Sequence, residues 1–163
     1  MRKRASKGHF VDKWPIGHKH PGMHPLNPES VTLVKAAAQR LREVMACLPD
    51  TLSAFLENEL LQDRVTLRFI LAVQDCISIA AEVASQRGLR PDGGMGQLFE
   101  ALAEDGVLPK SMVLELQAVV GIRNQILFDF DSLHAKDLFE AASEFPEILV
   151  TFLSYMSGQE ENE

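Results

Sequence analysis

Apolar residues recur along most of this chain at three- and four-residue intervals, the period of one face of a helix. Val31, Val34, Ala38, Leu41 and Met45 form the first such stripe. Asn27-Pro28-Glu29 precedes it, with a capping side chain, a proline at the first helical position and an acid in the first turn. Pro49 ends that helix, and Asp50 can cap a short one running to Leu56. A long helix is predicted over 61–87, with Val65, Phe69, Ala72, Cys76, Ile79 and Val83 on one side and Gly88 as its stop. Residues 90–96, with Pro91 and three glycines, read as a loop. A short helix over 97–103 closes at Gly106, and Pro109 opens another through Leu114, Gln117, Val120 and Leu127. Ser132 can cap a last helix over 133–156, kinked at Pro146. No alternating run of strand length and no internal repeat occurs. The pattern specifies an all-α antiparallel helical bundle.

Residues 1–28 break the pattern. They hold four of the eight prolines, three of the ten glycines and four of the five histidines, without helical or strand period. We read 1–28 as a flexible, basic, His-rich extension and 29–163 as one bundle domain. The extension carries six Lys or Arg against one Asp, a balance of +5, and the remainder ten against 22 acids, a balance of −12. An acidic body repels nucleic acid on average, so RNA contact has to come from a local basic site or from the extension. The spacing of His9, His18, His20 and His24 matches no metal-ligand pattern, so no metal site is assigned. Metal or small-ligand binding through this extension is kept as a third alternative.

The longest uninterrupted apolar run is 69–73, far short of a membrane span, and no apolar stretch follows the basic Met-Arg-Lys-Arg start. Cys47 and Cys76 are too few for a disulfide scaffold or a thiolate zinc site and read as small buried hydrophobes. A cytoplasmic protein is expected.

The familiar catalytic signatures are missing. Gly93-Gly94-Met95-Gly96 lacks the preceding strand and the lysine of a phosphate loop, and reads as a helix connection. There is no His-Glu-x-x-His and no nucleophile elbow. Asp75 and Glu82 are seven apart on one face and read as a solvated edge, with a carboxylate pair as the alternative. Arg64 and Arg68 read as partners of nearby acids, and Tyr155, the only tyrosine, as a bundle residue.

The informative segment is Gly121-Ile122-Arg123-Asn124-Gln125-Ile126-Leu127-Phe128-Asp129-Phe130, where Arg123 and Asn124 interrupt an apolar helix. A half-buried arginine is costly unless it meets a carboxylate, a phosphate or a partner. On composition alone the expected partner is a bundle acid, Asp129 or Asp131.

Together with Leu98-Phe99-Glu100 and Gly106-Val107-Leu108-Pro109, this segment resembles the HepT-like branch of the HEPN superfamily. The resemblance covers about residues 30–157 and is strongest over 97–131. It implies a dimeric helical protein, commonly the toxin half of a pair whose antitoxin is an MNT-type nucleotidyltransferase, with metal-independent RNA cleavage as the activity and no cofactor. The family motif is Arg-Asn, three residues, His, one residue, Tyr. Its arginine and asparagine match Arg123 and Asn124, which the resemblance makes the catalytic candidates. Its histidine and tyrosine positions fall on Phe128 and Phe130. In the family the arginine holds the scissile phosphate, the histidine moves protons and the tyrosine hydroxyl accepts adenylate. Phenylalanine can do neither of the last two, and losing a general acid–base group typically costs about 10²–10⁴ in rate.

His134, eleven positions after Arg123, is the possible substitute. On an unbroken helix it would stand about 16 Å along the axis, within reach only across a dimer two-fold. The two phenylalanines predict a drier dimer seam in which the family's cleft is packed shut. The expected function is therefore a binding subunit for an MNT-type partner with nuclease activity reduced or lost. The alternative is an active ribonuclease using Arg123, Asn124 and His134.

Overall fold

A computed structural model of the chain describes residues 26–158. Among them lie six α-helices: α1 (Pro28–Cys47), α2 (Leu52–Leu56), α3 (Glu59–Gln86), α4 (Gly94–Glu104), α5 (Ser111–Phe128) and α6 (Ala135–Met156). No strand occurs among the described residues, so the all-α bundle expected from the periodicity is what the chain forms. The predicted extension and its histidines lie, but for 26–28, outside the described residues.

Each helix starts where local chemistry satisfies its free N–H groups. The Asn27 side chain accepts from the Ser30 N–H at 2.7 Å, as the Asn-Pro-Glu signature predicts. The cap of α2 is Thr51 rather than Asp50, with its hydroxyl accepting from Ala54 at 3.2 Å. Asn58, unmarked by the apolar stripe, caps α3 at 3.0 Å and starts it at Glu59, ahead of the predicted 61. The end of α3 is a Schellman turn. Gly88 takes φ +71, its N–H reaches Ser85 at 3.0 Å, and Leu89 reaches back to Ala84 at 2.9 Å. Gly106, at φ +77, ends α4 in the same way. The glycine run 93–96 does connect helices, but α4 already begins inside it, at Gly94.

Helix α3 is the axis of the bundle and touches every other helix. Its predicted stripe, Val65 through Val83, is buried along its whole length. Phe69 stacks on Phe145 of α6 with ring centroids 6.3 Å apart, and Phe99 meets Phe152 edge-on at 5.9 Å. Burial, and next to it the charge of Asp75, pushes the Cys76 thiol far above its ordinary range, so it acts as a core hydrophobe. Helix α6 runs on through Pro146, which is buried.

Two of the predicted stripes are displaced at their ends. Val31 is exposed, and α1 uses Ala37 and Val44 instead. On α5, Leu114 and Leu127 point outward while Met112, Val113, Leu116, Val119, Val120 and Ile126 form the buried side. Period counting picked these residues because α5 is apolar nearly all round, so several faces fit the same spacing.

Several surface charges along α3 have partners, although Arg64, expected to pair with an acid as Arg68 does, meets none among the described residues. Arg40 Nε meets Asp75 Oδ2 at 2.7 Å and Arg68 Nη1 meets Glu43 Oε2 at 2.6 Å, tying α1 to α3. Arg87 Nε meets Asp105 Oδ2. Glu82 accepts from Asn27 Nδ2 at 3.1 Å and from Gln86. Asp75 and Glu82 are thus engaged separately, and the alternative of a carboxylate pair is not realised.

Candidate functional site

The Arg-Asn dipeptide lies in the last two turns of α5. The helix stops after Phe128 because Asp129 adopts φ −149, ψ 47, outside the helical range. Phe130–Ser132 then form one 3-10 turn. Ser132 Oγ locks this turn back onto α5, accepting from Gln125 Nε2 at 3.0 Å and donating to the Asp129 carbonyl at 2.9 Å. Ser132 is therefore a turn residue, and the residue preceding α6 is His134. The His134 backbone carbonyl accepts from Asp137 and Leu138, while its side chain makes no cap and stays exposed. Because the helix breaks before it, the straight-axis separation of Arg123 and His134 does not apply.

Arg123 is half-buried, and no carboxylate among the described residues pairs with it. Its Nη1 donates to Asn124 Oδ1 and its Nη2 to Gln74 Oε1, both at 2.9 Å. Its Nε is buried with no partner at all. The expected ion pair with Asp129 or Asp131 is not formed; both acids lie past the helix end and face solvent. Two neutral amides hold the guanidinium, so its charge is left uncompensated.

Gln74 was illegible in the sequence. It lies 49 residues away on the exposed side of α3, and nothing in its neighbourhood distinguishes it from an ordinary surface glutamine.

The two phenylalanines do not close the site. Phe128 is 80% exposed and Phe130 54%, beside Leu127 at 45%. In the single chain the expected packed-shut cleft is an open apolar surface. On the same helix Leu114 is 76% exposed, and a Cβ added at Gly121 would meet nothing within 4 Å. Tyr155 packs partly buried against the core, as a bundle residue should.

Arg123 and Asn124 can bind an oxyanion through the guanidinium fork. Proton transfer is another matter. Phe128 and Phe130 have no titratable group, and His134 is the only histidine among the described residues. No group of His, Cys, Asp and Glu there could hold a metal ion, and no helix there is long and apolar enough to cross a membrane.

Residues 34–156 match the family model described as ribonuclease HepT-like. No protein of curated function matches the chain. Among solved structures, a toxin–antitoxin complex with AMP-PNP contains a chain of the same fold. It is 22% identical, with a TM-score of 0.67 over 80% of this chain and 99% of that one. The tri-AMPylated HEPN toxin of Shewanella oneidensis, in complex with an MNT antitoxin, is also 22% identical, with a TM-score of 0.66 over 80% and 97%. Both likenesses are of fold, and the family match, which runs from within α1 to the end of α6 and takes in the Arg-Asn segment, shows that the chain belongs to the HepT-like ribonuclease family.

Proposed function

We propose that this protein is the toxin-side component of a cytoplasmic toxin–antitoxin pair, with nuclease activity reduced or lost, and that it acts as a binding subunit for an MNT-type nucleotidyltransferase. One observation carries the reading. The anion-holding half of the family site, Arg123 and Asn124, is present with its charge uncompensated, while the proton-moving half is replaced by two exposed phenylalanine rings. The family match and the antitoxin complexes of its structural neighbours support the choice of partner. The exposed apolar side of α5, from Leu114 to Phe128, supports a homodimer built on that helix.

The test has two arms. The wild type should cleave RNA at or near background, and Phe128→His/Phe130→Tyr should raise the rate by about 10²–10⁴, the usual worth of a general acid–base group. Co-expressed with an MNT-type nucleotidyltransferase, the wild type should co-purify with it. Wild-type cleavage lost in both Arg123→Ala and His134→Ala would establish the active-ribonuclease alternative instead. A monomer that ignores the nucleotidyltransferase would end the binding-subunit reading.

A further inference from the structure

We infer that Gln74 is a positioning residue that presents Arg123 as an uncompensated cation to an RNA phosphodiester. The inference rests on the site reading above and deepens it by naming a residue that positions the arginine.

Among the described residues, four arginines are held by other side chains. Arg40, Arg68 and Arg87 each meet a carboxylate, which fixes the side chain and neutralises it. Arg123 is also fixed, by two hydrogen bonds of 2.9 Å, but both acceptors are amide oxygens. An amide holds a guanidinium's orientation without cancelling its charge. The Asn124 bond comes from the neighbouring residue and can set only the local rotamer. The Gln74 bond comes from α3, across the helix packing, and fixes where the fork stands relative to the bundle. The buried Nε without a partner is a second, independent sign that this side chain is held for something other than the fold, since orphaned buried donors are rare and costly.

A planar fork suits a phosphate, and two neutral acceptors leave its charge free to meet one. The acidic remainder of the chain confines any nucleic acid to such a local site.

The experiment is a fluorescence-anisotropy titration of the full chain with a short labelled single-stranded RNA, repeated over a range of salt. Wild type should bind. Arg123→Ala should weaken binding roughly tenfold or more and lower the salt slope by about one contact. Gln74→Glu supplies an equally reaching acceptor that is charged. It should leave the melting temperature at or above the wild-type value yet lose affinity and slope as Arg123→Ala does. Gln74→Ala should weaken binding but keep the slope, because the cation is loosened rather than neutralised. A merely structural Gln74 would move melting temperature and leave the slope alone, and that result overturns the assignment. So does a wild type that fails to bind RNA, or variants that affect only nucleotidyltransferase binding, which would make the ligand a carboxylate of the partner. Wild-type RNA cleavage would overturn the reduced-nuclease reading without touching this one, because affinity and salt slope are read apart from turnover.

Discussion

Helices α3 and α5 are built from similar amounts of apolar residue and end up in opposite conditions. Every member of the α3 stripe from Val65 to Val83 is buried, and Asp75, Arg68 and Glu82 on its outer side are met by Arg40, Glu43 and Asn27. Helix α5 buries six residues on one side and still leaves Leu114, Leu127 and Phe128 in solvent, next to an arginine without a carboxylate. Helix α3 exposes Leu60 and Leu67 near its start and no large apolar residue beyond them, whereas α5 exposes Leu114 near its start and Leu127 and Phe128 at the end that carries the arginine. A helix that is apolar on more sides than its neighbours can cover needs further contacts, and the candidate site lies on it.

The widest separation between the two helices should appear on truncating one phenylalanine from each. Phe69 on α3 is fully buried against Phe145, so Phe69→Ala should cost about 3–5 kcal/mol in chemical denaturation. Phe128 is 80% exposed, so Phe128→Ala should change the stability of the dilute chain by less than about 0.5 kcal/mol. The same substitution should weaken self-association measured by sedimentation at high protein concentration. Equal destabilisation by both changes would mean that Phe128 is buried in solution and that the contrast drawn here belongs to a monomer that does not exist.

That contrast also explains what the sequence disclosed. The long helix was legible because burial on one side and charge on the other give a clean 3.6 period, and its Gly88 stop could be read from residue type alone. Val31, Leu114 and Leu127 were assigned inward because a period locates a face and cannot say which neighbour covers it. The helix starts were less readable: Thr51 stands beside Asp50, both are good caps, and backbone geometry rather than composition chose between them. At the site, Arg123 and Asn124 were visible as polar interruptions of an apolar run. Their neutral holder Gln74 was invisible because the bond is made across tertiary packing between residues 49 apart.

A smaller effect tests how firmly α3 is finished at its end. Gly88→Ala puts a Cβ at φ +71, where it meets no neighbouring atom, so only backbone strain opposes it. A loss of about 1–2 kcal/mol is expected, with no change in RNA or partner binding. Smaller still is the exposed side of the same helix. A double-mutant cycle on Arg40 and Asp75, both only partly shielded from solvent, should return a coupling below about 1 kcal/mol that shrinks with added salt.

A small net effect on folding is expected at Arg123, and its smallness is informative. Replacing it with methionine removes two hydrogen bonds, but Gln74 lies on an exposed face, so its oxygen can turn to water. The same change removes the buried Nε that has no partner, relieving a penalty of about 1–3 kcal/mol. These terms oppose each other, so Arg123→Met should melt within a few degrees of wild type, or above it, while losing the binding that Arg123→Ala loses. An arginine belonging to the fold behaves otherwise, since removing it strands a carboxylate, as at Asp75 or Glu43. A drop of several kcal/mol in Arg123→Met would make Arg123 part of the fold and remove the physical basis for treating the end of α5 as a site.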